Sequence, residues 1–130
     1  MSYWQEHNLA EKVAAILGDV PEYAPGHHLG RPFLTAYMIA VEFERRFPED
    51  VSGLNLQVGA AGSEKKNTLA PYLARELSED IEHKGNASLF EGGFLSGQNL
   101  RDLPFTAAGQ IVHPTGSEPV TISVFRLHAE

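Results

Sequence analysis

Leu9, Val13, Ile16 and Leu17 recur at the three- and four-residue spacing of one helical face, and Gly18 follows as a natural stop. The pattern predicts an amphipathic helix over residues 8–17. Asn8 with Glu11 has capping-box spacing, and Ser2 with Gln5 repeats it, which allows an earlier start. The stretch GDVPEYAPGHHLGRP is rich in glycine and proline and reads as a loop. Pro32 suits the first position of a helix, where no N–H is needed, and Phe33, Leu34, Tyr37, Met38, Ile39, Val41 and Phe43 then surround the axis. This segment is expected to be a central helix enclosed on most sides. Arg45 and Arg46 complement its negative end, and Phe47, placed before Pro48, is pushed out of helical geometry.

Residues 54–58, LNLQV, alternate as a half-buried strand should. Leu69, Leu73, Leu77 and Ile81 recur every four residues and predict a third helix, with Thr68 as its cap, Pro71 in its first turn and Gly85–Asn86 as its end. The remainder is strand-like: ASLFEGGFL, QIVHP and VTISVFRL, the last two joined by TGSE as an antiparallel hairpin. In the last strand Val120, Ile122, Val124 and Arg126 share one face while Thr121, Ser123 and Phe125 share the other. The order ααβαβββ predicts a single α+β domain over residues 1–130. Its three helices pack on one face of a small, mostly antiparallel sheet of about four strands. A right-handed crossover through the third helix would join the strand at 54–58 to that at 87–91.

Composition narrows the function more than it identifies it. A chain of 130 residues with 42% apolar and 21% charged residues has the size and balance of one globular domain. It holds no cysteine, so disulfides and thiolate chemistry are excluded and a reducing, cytoplasmic setting is expected. No basic leader precedes an apolar run, and no segment approaches the roughly 18 apolar residues of a membrane span. Seventeen acids against ten bases give a net charge of −7, which disfavours nucleic acid and anionic membranes as partners.

The most promising polar constellation is GHHLGR at residues 26–31. If Pro32 opens a helix, the loop lies at a positive dipole end with unpaired N–H groups. His27, His28, Gly30 and Arg31 could then hold a phosphate, nucleotide or carboxylate, with Arg31 making a bidentate contact. The plainer alternative has the glycines making turns, one histidine serving a local hydrogen bond and Arg31 pairing with an acid. Adjacent His27 and His28 point apart in an extended loop, and no HExxH-like spacing links them to His7, His83, His113 or His128, so no metal site is assigned.

Other patterns fall short of their chemistry. VGAAGSEKKNT lacks the GxxxxGK[ST] of a phosphate-binding loop. Asp50 with Glu64-x-Lys66 has the residue types of a metal-dependent nuclease, but on a glycine loop instead of a strand. Leu95, Leu100 and Phe105 recur every five residues, too briefly for a solenoid. The carboxylates of ELSEDIEHK read as the wet face of the third helix. No catalytic residue and no cofactor is assigned, and enzyme and binding protein both stay open. The favoured reading is a small acidic binding module that meets another protein, or a second copy of itself, through a sheet edge or the loop 92–108 with Phe94, Leu95, Leu100, Leu103 and Phe105. The rival is a small-anion site, enzymatic or not, at 26–32.

Overall fold

A computed structural model of the chain describes residues 2–22, 25–54, 69–96, 99, 105–107, 110–112 and 122–128. Within them the fold is α+β: α1 (Tyr3–Glu6), α2 (Leu9–Gly18), β1 (Leu34–Thr35), α3 (Ala36–Arg46), α4 (Pro48–Leu54), α5 (Leu69–Lys84), a 3-10 turn (Gly85–Ala87), β2 (Phe90–Leu95), β3 (Phe105–Ala107), β4 (Gln110–Val112) and β5 (Ile122–Leu127). β5 is the centre of a three-stranded antiparallel sheet of order β1-β5-β2, and β3 pairs with β4 in a separate ribbon.

The helix expected over 8–17 is present, but its entry differs from the capping box. Ser2 does cap α1, its hydroxyl accepting from the Gln5 N–H at 3.3 Å. Asn8 instead adopts left-handed geometry at φ 55° and makes no side-chain cap, serving as the joint between α1 and α2. Asparagine tolerates that conformation better than other residues with a Cβ. α5 follows the leucine spacing: Leu69, Leu73 and Leu77 are buried, and Gly85 at φ 53° ends the helix in left-handed geometry.

The central helix starts four residues later than Pro32 suggests. Thr35 is its N-cap, in extended geometry, and its hydroxyl accepts from the Met38 N–H at 3.1 Å. The preceding Leu34–Thr35 pairs with β5, Leu34 opposite Phe125 and Thr35 opposite Val124. A proline fixes only φ, which an extended segment satisfies as well as a helix does. α3 is also not enclosed all round. Ala36, Ile39, Ala40 and Phe43 face inward, while Met38 and Val41 are 42% and 37% exposed. Phe47 leaves helical geometry at φ −129°, as its place before a proline requires, and the chain re-enters a helix at once as α4.

One expected strand lies almost wholly outside the described residues, and another pairs differently from the expectation. Leu54 ends α4 as helix, and residues 55–58 lie outside the described ones. Gln110–Val112 pairs with Phe105–Ala107, so among the described residues the hairpin expected between 110–114 and 120–127 is replaced by β3–β4. The loop expected over 92–108 likewise opens inside β2 and includes β3. β5 runs as a strand over Ile122–Leu127, with Val124 and Phe125 buried on opposite faces and residues 120 and 121 outside the described ones. Phe125 lies opposite Gly92 on the helix-covered face, and Arg126 lies opposite Glu91 on the other.

The core joins all the layers. Leu9, Val13 and Leu17 of α2, Ile39 and Phe43 of α3, Leu73 and Leu77 of α5, Phe90 of β2 and Phe125 of β5 form one buried cluster. A polar staple closes its lower edge: Asp50 is buried, receives Lys12 Nζ at 2.6 Å and accepts from the Tyr3 hydroxyl at 3.2 Å. Burial and the Asp50 carboxylate raise the Tyr3 phenol above its ordinary pKa. A side chain at Gly53 would overlap the Tyr3 hydroxyl, so this glycine allows α1 to approach α4. Among the described residues no helix is long and apolar enough to cross a membrane.

The inward and outward faces of α3 can be separated by mutation. Ile39→Ala should lower unfolding free energy by about 2–5 kcal/mol, whereas Met38→Ala should stay within about 0.5 kcal/mol of wild type in urea titrations. Equal losses would mean that α3 is enclosed on both faces after all.

Candidate functional site

The residues singled out at 26–31 come together as a loop, and each that is bound finds its partner inside the chain. Gly26 and Gly30 have φ of 78° and 84°, left-handed values that glycine adopts without strain. His27 Nδ1 accepts from the Leu29 N–H at 3.1 Å, and the exposed His28 ring stacks on His27 with centroids 4.2 Å apart. Arg31 lies 3.5 Å from Glu22. This is the plainer arrangement: turns, a local histidine bond and an ion pair. The positive end of α3 is at Thr35, already capped, so the dipole that supported an anion at His27, His28, Gly30 and Arg31 is not at the loop.

What holds the loop is Arg126 of β5. Arg126 Nη1 donates to the Leu29 and Arg31 carbonyls, the latter at 3.0 Å, and its guanidinium stacks 4.2 Å above the Phe33 ring. Nη2 lies 3.5 Å from Glu91, which His128 also approaches at 3.4 Å. A Cβ at Gly30 would lie 2.8 Å from Arg126 Nη1, so besides the strain of its positive φ a side chain here would push the guanidinium off the loop carbonyls.

Two hollows flank α5. On one side Glu11 of α2 and Glu76, Glu79, Asp80 and His83 of α5 line a polar cleft of about 680 Å³. Asp80 is engaged there by Lys84 at 2.9 Å and Ser88 at 2.6 Å. Burial, then the Glu79 charge, raises the Glu76 carboxyl above its ordinary pKa. Among the described residues no group of three or more His, Asp and Glu is arranged to hold a metal ion. Asp50, named for nuclease chemistry, is committed to Lys12 and Tyr3, while Glu64 and Lys66 lie outside the described residues. His7 stacks on Tyr3, and His113 is outside the described residues.

On the other side of α5 is an apolar hollow of about 250 Å³. Its floor is Gly92 and Phe125, its walls are Ile81 and Phe94, and its rim is Ser78, Glu82 and Ser123. The hollow exists because Gly92 lacks a side chain. A Cβ there would stand 3.0 Å from the Phe125 ring and 3.2 Å from Ile81 Cδ1. It opens beside the edge of the sheet, since among the described residues β2 pairs only with β5. His128 N donates to the Leu89 carbonyl at 3.0 Å, which directs the backbone of Leu89, Glu91, Gly93 and Leu95 toward β5. Gly92 and Phe94 therefore turn their N–H and C=O groups to the open edge, while the Phe90 N–H donates to Ser88 Oγ at 3.1 Å. Phe94, 71% exposed, stands at the end of this row.

Phe94 and Leu95, expected as interface residues, are exposed, whereas the hollow and the Arg126 clamp were not foreseen. The available signal was the Gly92–Gly93 pair inside a strand pattern, since glycine in a strand marks a place where something approaches closely. No family model, curated protein or solved structure matches the chain, so the geometry alone carries the reading.

Gly26 and Gly30 offer a controlled test of the clamp, because nothing lies within 4 Å of a Cβ added at Gly26. Gly26→Ala should cost about 1–2 kcal/mol from backbone strain, and Gly30→Ala distinctly more. In an Arg126→Ala background the difference between the two should disappear in denaturant titrations. A second expectation concerns the cleft. A raised carboxyl destabilises the fold above its folded pKa, so Glu76→Gln should raise Tm at neutral pH. That gain should fade as pH falls through the Glu76 value. A Tm advantage independent of pH would contradict it.

Proposed function

We propose that the chain is a protein-binding module that takes an extended segment of a partner onto the open edge of β2, with one apolar partner side chain seated over Gly92. The observation that carries this reading is the coincidence of three features at one place: an edge strand, a hollow made by a missing side chain and an exposed phenylalanine beside it.

The physics of strand addition fits these features. Backbone groups along an edge supply affinity that does not depend on sequence, and pockets for alternate side chains supply specificity. An exposed, apolar edge is otherwise a liability that proteins blunt with charge or proline, yet Glu91 is the one charged residue of β2 and lies on the face away from the hollow. The hollow's size narrows the occupant. Sites that enclose drug-sized molecules run to about 300–1,000 Å³, and 250 Å³ falls below that range. Its size suits a single anchoring side chain better than a substrate or cofactor, and among the described residues no titratable pair converges on it. This favours binding over catalysis.

Selection from a library of short displayed peptides, followed by calorimetry, tests the proposal. Selected peptides should lose about tenfold or more in affinity, roughly 1.4 kcal/mol, against Phe94→Ser, while Met38→Ser on the outer face of α3 should bind as wild type does. Both residues are exposed, so neither variant should unfold the chain. Failure to select any binder, or binders indifferent to Phe94, would overturn the proposal.

A further inference from the structure

We infer that the segment accepted by the β2 edge is basic and belongs to a different protein: an extended stretch with an apolar side chain over Gly92 and a lysine or arginine beside Glu82. The inference rests on the proposed strand-addition reading and adds the partner's chemistry to it.

The argument is one of charge. Glu82 borders the hollow, is exposed, and has no cation within 4.0 Å among the described residues. It is the acidic residue among those lining the hollow, on a chain of net charge −7. An added antiparallel strand places the residue opposite Gly92 over the hollow, and its neighbours two positions along face the same side. Diagonal neighbours across a strand pair are about 7–8 Å apart, within reach of a long basic side chain directed to Glu82. A basic partner would also be drawn toward this acidic surface before contact.

The same geometry argues against a second copy. A twofold pairing centred on Gly93 would set Phe94 of each copy opposite Gly92 of the other, which suits the shapes. It would also bring two α5 helices, each packed on its own β2, side by side on one face of a continuous sheet. The Glu82 carboxylates would then approach each other with no cation between them, and like charges at an interface disfavour it.

Fluorescence anisotropy with two labelled peptides tests the inference, both with threonine at every second position and a central leucine on the other face, one carrying lysine and the other glutamate two positions to either side of that leucine. The lysine peptide should bind and the glutamate peptide should not. Glu82→Gln should weaken the lysine peptide about two- to fivefold, the size expected of one exposed ion pair, while Glu49→Gln on α4 should leave it unchanged. Phe94→Ser should weaken it in addition. Equal losses from Glu82→Gln and Glu49→Gln would show attraction to overall charge only and would overturn the inference, as would light scattering that shows a dimer broken by Phe94→Ser. Library-selected peptides that depend on Phe94 yet carry no basic residue would overturn the basic partner while leaving the strand-addition reading in place. Selected peptides indifferent to Phe94 would overturn both.

Discussion

Everything in this fold depends on β5 being paired along both edges. β1 and β2 flank it although 54 residues separate Thr35 from Phe90, and the helices α3, α4 and α5 lie between them in sequence. Without β5 the two flanking strands have no common partner, and the helices lose the floor on which Phe90 and Phe125 meet Ile39, Phe43, Leu73 and Leu77. A strand pair alone is marginal in water, so the buried aromatic face and the pairing stabilise each other. Closing the sheet therefore requires the last strand of the chain, a non-local contact of the kind that forms slowly.

Arg126 extends the influence of β5 to the far side of the sheet. From the face opposite the helices it binds two carbonyls of the loop before β1, stacks on Phe33 and meets Glu91 across the strand pair. A guanidinium can do this because its donors fan out in one plane while its face stays free for an aromatic ring. The glycine-rich loop that looks, in sequence, like a ligand cradle is in this way accounted for by an internal contact. Gly30 leaves room for the guanidinium, and the positive φ of both glycines turns the chain toward β1.

Local pattern was legible wherever one force dominated. The leucine spacing of α5, the Gly85 stop, the break at Phe47 and the β5 strand all follow from burial or from backbone sterics. The start of α3 was not legible, because Pro32 suits a helix and an extended strand equally and the choice is made by pairing with β5 some ninety residues away. α4 was hidden because it is short and follows a proline-induced break. At the site, the exposed Phe94 and Leu95 could be picked out, but the hollow over Gly92 arises only when Ile81 of α5 and Phe125 of β5 are brought against the same strand. Gly30 and Arg31 were singled out as anion contacts, and within the chain they meet Arg126 and Glu22.

The open edge and the central strand are two sides of one statement about β2, and amide hydrogen exchange reads both at once. If β5 holds one edge and nothing holds the other, the amides of Glu91, Gly93 and Leu95 should exchange slowly and those of Gly92 and Phe94 much faster, while the Phe90 amide is protected by its bond to Ser88 Oγ. That protection should alternate residue by residue from Glu91 to Leu95. Uniform protection of all six would mean that the edge is already covered, and uniform fast exchange would mean that β5 does not bind β2 at all.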